Sequence, residues 1–373
     1  MALKHTPVPL AVVGGGAAGL FAAATAANRS LGCLVMERKA RLGAKMLMTA
    51  NGRCNFTKDV SAARMLAEIG EPTASFARHA LSACPPSRIA AAFRSCGVKT
   101  KRMADGRLFP ASGQAADIVH AFGDLLRDAG VPVLTNCTVA GLQPVKNGFI
   151  VATRHFTLWA ENVLIATGGI SFPKTGSTGD GQRFARELGL RTVPLRAGLT
   201  GFETEDSRVR ARASRRFENG CARILDAAGK ECCASEGEVD CETWGVGGAA
   251  VYNCQRWTAR HPGPFKAEIL FDGLRIVLDS PRARPAKEAI VTIGGVSTDE
   301  IDPQTMESRK IPGLFFAGEV LDIDGPTGGF NLSLAFATAH LAAETIAARR
   351  AARGGAGPSG GAWSAGRRPE RRF

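Results

Sequence analysis

A short apolar run over 9–13 passes without a gap into Gly14-Gly15-Gly16-Ala17-Ala18-Gly19, and the alanine-rich stretch after it predicts a helix over Ala17–Asn28. A second apolar run predicts a strand over Cys33–Met36. Further along, β-branched and apolar positions predict strands over 133–138, 139–144 and 149–158, with a turn at Lys146-Asn147-Gly148. Two more apolar segments, 163–166 and 314–317, read as buried strands, and 331–348 reads as an amphipathic helix. The stretch over 8–27 mimics a signal peptide, but Pro9 and four glycines interrupt it, so it reads as strand, turn and helix. No other run approaches the ~20 apolar residues that a membrane span needs. From Gly354 to Phe373 the chain mixes Gly, Pro, Ser and Arg with no apolar period, which predicts disorder.

Composition narrows this picture. With 373 residues, 45% of them apolar and 22% charged, the chain is globular, which excludes whole-chain disorder and fibrous repeats. At ~100–200 residues per domain it holds two or three domains. Its 44 glycines cluster without a collagen-like period, a sign of repeated close approach between backbone and a ligand. Net charge is +13, of which +6 falls after residue 348, and Arg208, Arg210, Arg212, Arg215 and Arg216 form a second basic block. Such charge suits phosphate-bearing partners such as RNA, but most basic tails are solvated appendages. The ten cysteines form no Cys-x-x-Cys pair and no Cys/His cluster at zinc spacing, so the reading is no metal and reduced thiols in a cytoplasm.

Strand, Gly-x-Gly-x-x-Gly and helix in this order form a dinucleotide-binding turn. Gly14 makes the sharp bend, Gly16 admits a pyrophosphate to the backbone, and Gly19 lets helix and strand pack closely. The anion would rest on the helix N-terminus, where free N–H groups and the macrodipole favour negative charge. Glu37, 18 positions after Gly19 at the end of the second strand, is the acid that accepts hydrogen bonds from an adenosine ribose. These features do not choose between NAD and FAD.

The segments downstream of Glu37 make that choice. Arg41-Leu42-Gly43-Ala44-Lys45 leads to Asn51-Gly52-Arg53-Cys54-Asn55-Phe56-Thr57. Later come Gly106-Arg107-Leu108-Phe109-Pro110, Ala166-Thr167-Gly168-Gly169, Gly176-Ser177-Thr178-Gly179-Asp180-Gly181, Gly318-Glu319-Val320-Leu321-Asp322 and Gly325-Pro326-Thr327-Gly328-Gly329-Phe330-Asn331. In these segments the chain resembles the BaiN/RdsA family of NAD(P)/FAD-dependent oxidoreductases, over roughly 8–205 and 286–348. The resemblance implies an α/β protein. A glutathione-reductase-like, Rossmann-type FAD domain would be built discontinuously from 1–193 and 286–348, a smaller, mainly β inserted substrate domain would span 194–285, and a disordered basic tail would span 349–373. It further implies FAD as the cofactor and NAD(P)H as a transient electron donor. The acceptor would be an activated C=C bond, in a small or steroid-like enone or in uracil of ribosomal RNA, which would become dihydrouridine.

By the same resemblance, the groups around FAD are Gly14, Gly16, Ala17, Ala18, Gly19, Glu37, Arg38, Lys45, Gly52, Arg53, Cys54, Asn55, Val139, Ala166, Thr167, Gly168, Gly318, Glu319, Asp322, Gly329, Asn331 and Leu332. Val139 matches the position whose backbone meets adenine, Glu319 the acid on the ribityl chain, and Asn331-Leu332 a helix N-terminus aimed at the flavin pyrimidine. Cys54, Asn55 and Ser177 are the catalytic candidates. Cys54 is either a proton donor or a small residue packed beside the ring, and Asp180 is expected to cap the helix after it.

Two departures stand out. Only 33 residues, 253–285, separate Tyr252 from Ala286, where the family carries a long helical module. There is also no second strand-glycine-helix motif for NADPH, and Gly245-Val246-Gly247-Gly248 reads as a turn. The departures leave open a flavin-binding protein with a regulatory role and no turnover.

Overall fold

The first strand, Val8–Val13, lies at the centre of a parallel sheet because both of its neighbours are buried apolar strands. Leu10 pairs with Cys33 and Val13 with Met36 on one side, and Ala11 with Val163 and Val13 with Ile165 on the other. The computed structural model describes residues 7–354. They divide into two compact units. One takes the chain up to Gly169, Lys174–Val193 and the residues from Val296 onward, and the other takes Ile170–Pro173 and Pro194–Gly295.

In the first unit the strand order is Val133–Leu134, Cys33–Met36, Val8–Val13, Thr157–Ile165, Gly148–Thr153, Val139–Val145, with Leu314–Phe316 parallel to Thr157–Ile165. A single long strand, Thr157–Ile165, serves two purposes. Its first half closes an antiparallel meander (Phe149 with Ala160), and its second half joins the parallel sheet. The predicted strand over 149–158 is therefore broken. Its turn falls at 154–156, where the Thr153 hydroxyl accepts from the N–H groups of His155 and Phe156. The predicted strand over 133–138 stops at Leu134, because Asn136 turns left-handed (φ 52°) and its N–H donates to the Lys39 carbonyl.

Two helices cover this sheet, Ala17–Asn28 and Phe330–Ala352. They meet through Phe21 and Phe336, whose rings lie 5.0 Å apart, and Phe93 and Phe122 complete an apolar cluster around them. Thr25 Oγ1 and His340 Nδ1 join the same two helices at 3.2 Å. The last helix runs past its predicted end at 348. Arg349 and Arg350 thus belong to its final turn rather than to a basic tail, and they pair with Glu307 and Glu161. The rest of the predicted tail, from 355, lies outside the described residues. Among the described residues no helix is long and apolar enough to cross a membrane.

The second unit is an antiparallel sheet in the order Leu274–Asp279, Lys266–Phe271, Arg216–Leu225, Glu231–Glu242, Gly245–Gly247, Phe202–Glu203, Arg282–Ala283. One helix, Ala249–Arg260, closes its core of Ile224, Val239, Val246, Val251, Ile269 and Ile276. Gly245–Gly247 is a strand and not the predicted turn. A Cβ at Gly245 would stand 2.2 Å from the Phe202 carbonyl oxygen, so glycine is what lets these strands approach. The stretch 253–285 holds the end of the helix and three of the strands.

Candidate functional site

The glycine turn is built so that three of its glycines are closed in and one, Gly16, is open. Gly14 takes φ 111°, donates its N–H to the Met36 carbonyl at 2.8 Å, and has no room for a side chain, since a Cβ would sit 2.5 Å from the Ala166 oxygen. A Cβ at Gly19 would lie 1.8 Å from the Gly14 oxygen. At Gly16, by contrast, nothing stands within 4 Å of an added Cβ. Gly16 is also the N-cap of Ala17–Asn28, with no side-chain cap and no acid in the first turn, so the helix offers uncompensated N–H groups there. Ala17 and Ala18 bring the backbone of that turn up behind it, with Ala18 buried.

Glu37 faces this turn from the end of its strand. It is buried, its Oε2 accepts from the Gly15 N–H at 2.8 Å, and its Oε1 accepts from the Lys39 N–H at 2.7 Å. The next residue, Arg38, reaches across to Asp180 at 2.5 Å and also bonds the Thr178 hydroxyl. Asp180 therefore does not cap the helix after it. The N-cap is Gly179 at φ 79°, Asp180 is the first helical residue, and its carboxylate holds Arg38 and Thr178 Oγ1. Val139, buried, opens the first meander strand, and the Cys137 N–H just before it donates to the Glu37 carbonyl at 2.8 Å.

A second group gathers where Thr157–Ile165 and Leu314–Phe316 end. The Ala166 N–H donates to Val13, Gly168 takes φ 73°, and Ser177 is buried with its Oγ 3.2 Å from where a Gly168 Cβ would stand. The Thr167 hydroxyl is buried with no hydrogen-bond partner among the described residues. Gly318, at φ 76°, donates its N–H to Thr338 Oγ1, and a Cβ on it would lie 2.9 Å from that of Ala18. Lys45 and Glu319 form an ion pair at 2.5 Å, each side chain about one-fifth exposed. The Asp322 N–H donates to the Val296 carbonyl at 2.9 Å.

The remaining loop, around Asn51-Gly52-Arg53-Cys54-Asn55, is tied to the start of the last helix. Oriented to satisfy its hydrogen bonds, the Asn55 amide donates to the Thr57 carbonyl and accepts from the Gly329 N–H at 3.1 Å. Thr57 Oγ1 meets Ser333 Oγ at 2.8 Å. Asn331 turns back to hold its own loop, accepting from the Gly325 N–H and donating to the Gly325 and Pro326 carbonyls. Leu332, next to it, is partly buried against the core. The Gly52 carbonyl accepts from the Ala115 N–H at 2.7 Å. Arg53 stands apart from these convergences: its Nε donates to the Ala50 carbonyl and its guanidinium lies 5.3 Å from the Phe109 ring centroid.

Cys54 is fully buried, and that burial pushes its thiol up to about 11 despite the Thr49 hydrogen bond. It holds no thiolate at neutral pH and is not placed to act as a nucleophile. Iodoacetamide at pH 7.5 is accordingly expected to leave Cys54 unmodified in the folded protein while labelling the partly exposed Cys232, with peptide mass spectrometry as the readout. Burial raises Cys33 and Cys84 as well, both to about 12. The folded state thus binds these protons more tightly than the unfolded chain. The resulting stability is complete below the ordinary thiol value of 9.0 and is lost as pH rises toward about 11 to 12.

The arrangement suits a dinucleotide. It has an open, positively ended backbone at Gly16, a buried acid beside it, and two further backbone approaches at Gly168 and Gly318, one of them carrying a sealed, unpartnered hydroxyl. Gln182, Thr338 and Ser333 carry no signal in the sequence because their partners are distant in the chain.

Residues 8–345 match the family model described as the HI0933-like protein Rossmann domain. The 3-dehydro-bile acid delta(4,6)-reductase of Clostridium scindens is 27% identical over 413 residues, covering 91% of this chain and 99% of that protein. The ribosomal RNA dihydrouridine synthase of Escherichia coli is 26% identical over 413 residues, covering 91% of this chain and 98% of its own length. An alignment of 413 residues cannot be filled by a chain of 373, so part of each relative has no counterpart here. Among solved structures, the 3-ketosteroid delta1-dehydrogenase of Sterolibacterium denitrificans superposes with a TM-score of 0.53 at 13% identity, over 91% of this chain and 99% of that one, a likeness of fold.

Proposed function

Because the chain belongs to the HI0933-like family, we propose that it is a FAD-dependent oxidoreductase that reduces a C=C bond conjugated to a carbonyl, with NAD(P)H as the hydride donor. One observation carries this reading. The two relatives, a bile-acid delta(4,6)-reductase and a dihydrouridine synthase, share that chemistry although their named substrates differ. We assign the cofactor to the first unit, the one built on the parallel sheet around Val8–Val13. Gly14, Gly16 and Gly19 bring the pyrophosphate to the helix N-terminus, and Glu37 accepts from the ribose. Lys45 and Glu319 flank the ribityl chain, and the N-terminus of Phe330–Ala352 offers its N–H groups to the ring. When bound, the flavin supplies hydride transfer, while the protein orients the reactants and excludes water. The chain has one glycine-rich dinucleotide turn, so NAD(P)H acts as a transient donor in this reading.

A small-molecule acceptor is favoured over RNA by the state of the basic block. Arg208 pairs with Asp206, Arg210 with Glu205, Arg212 with Asp272 and Arg216 with Asp240, so most of its charge is met by the chain's own acids. A cytoplasmic setting is supported by ten cysteines without a disulfide.

The test begins with anaerobic addition of NADH and then NADPH to the purified yellow protein. Bleaching of the visible flavin band within seconds is expected with at least one of them. A 4-en-3-one steroid is then expected to restore the colour, and ribosomal RNA is not. Recovery with RNA alone, sensitive to salt, would move the assignment to the dihydrouridine reading. A flavin that no donor reduces would leave a binding protein without turnover.

A further inference from the structure

The helix Asp180–Glu187 carries a side chain outside the groups assigned to the cofactor. Gln182 is 1% exposed, and its Nε2 donates to two backbone carbonyls at once, Gly168 at 3.1 Å and Val320 at 3.2 Å. Those carbonyls belong to different loops. One comes after Thr157–Ile165 and the other after Leu314–Phe316, strands that run side by side with Phe316 opposite Ile165. Both loops lie at the carboxyl ends of parallel strands, where sheets of this kind receive ligands.

The contact is tight on every side. A Cβ at neighbouring Gly181 would come within 2.3 Å of Thr167 Oγ1 and 2.6 Å of a Val320 methyl, so the helix start is wedged between the two loops. Its first residue, Asp180, holds Arg38, which comes directly after the buried Glu37. The side-chain carbonyl of Gln182 and the hydroxyl of Thr167 are both sealed from solvent and without a partner among the described residues. A buried, unmatched polar pair is retained at a cost to the fold, and it lies where the two loops converge.

We propose that Gln182 is a positioning residue for the flavin site, whose amide sets the spacing between the 166–169 and 318–322 loops. Only a primary amide offers two N–H groups on one planar nitrogen at this reach. Leucine at this position removes the amide from both carbonyls and leaves Val320 with the Val296 N–H alone, and asparagine keeps the amide but is one methylene too short to serve both loops. The proposal rests on the assignment of FAD to this site.

The experiment compares wild-type holoprotein with Gln182→Leu and Gln182→Asn. It measures FAD dissociation from reconstituted apoprotein, the absorption maximum of the bound flavin and its midpoint potential, together with the thermal midpoint of each apoprotein. Gln182→Leu is expected to weaken FAD binding at least tenfold and Gln182→Asn at least threefold, with a displaced absorption maximum and potential in both. Folded variants that match wild type in affinity, spectrum and potential overturn the proposal. So does a loss of apoprotein stability with an unchanged flavin spectrum and potential, which would make Gln182 a packing residue. Wild-type protein that takes up no FAD overturns the cofactor assignment itself, before any variant is compared, and this proposal with it.

Discussion

Alanine at Gly16 is expected to leave the apoprotein folded and to abolish most of its flavin affinity, whereas alanine at Gly19 is expected to destabilise the fold itself. The two positions stand three residues apart in one turn, yet their surroundings are opposite. At Gly19 the new methyl would be driven to 1.8 Å from the Gly14 carbonyl oxygen, a backbone atom that cannot rotate away. Strand and helix would have to separate, at about 3 kcal/mol or more. For a domain of this size that corresponds to a fall of about 10 °C in the melting temperature. At Gly16 the backbone is extended (φ −87°, ψ −165°), a conformation open to alanine, and the methyl meets no atom within 4 Å. The same methyl would occupy the space in front of the free N–H groups of the helix, where the pyrophosphate is assigned. Loss of at least tenfold in FAD affinity, about 1.4 kcal/mol, is expected with little change in apoprotein melting. Thermal melts of the two apoproteins and FAD titrations decide it. A Gly16→Ala variant that binds FAD like wild type would remove the anion from this turn.

This contrast also marks what could be read from the chain. The glycine turn was legible because each glycine's role is set by its place between an apolar strand and an alanine-rich helix, and Glu37 because it ends the next strand. The β-meander was legible in outline only. Its turn at 154–156 contains neither glycine nor proline and is closed by the Thr153 hydroxyl, so no sequence signal divides 149–158. Asp180 looked like a cap because capping is a local rule, and its actual partner, Arg38, is 142 residues away. Gly245–Gly247 looked like a turn because no apolar strand precedes it in the sequence. In the fold, the nearness of Phe202 makes glycine a condition of that strand. Asn55 was legible as a site candidate, but its bond to Gly329 was not.

Replacing Glu37 with alanine is expected to weaken FAD binding by at least thirtyfold, about 2 kcal/mol, and to lower the stability of the apoprotein as well. The carboxylate has one duty within the protein and a second that the proposed function gives it, and the two can be separated. Within the protein, its two oxygens accept from the N–H groups of Gly15 and Lys39, one before and one after the point where the turn receives its ligand. Each oxygen has a second lone pair, which leaves capacity for a ribose hydroxyl. Alanine removes both functions and leaves two N–H groups at a buried position without their acceptor. Glutamine separates the two functions. Its carbonyl can still take one of the backbone bonds, but its amide presents N–H to the other, so Glu37→Gln is expected to weaken FAD binding less than alanine while still lowering apoprotein stability. FAD titration of the three apoproteins, with chemical denaturation in parallel, provides the comparison. If Glu37→Ala binds FAD as wild type does, the acid serves the turn alone and the adenosine lies elsewhere. If both variants lose stability in proportion to affinity, the ribose contact is not needed to account for the loss. The expected result is a larger loss in affinity than in stability, with alanine below glutamine in both.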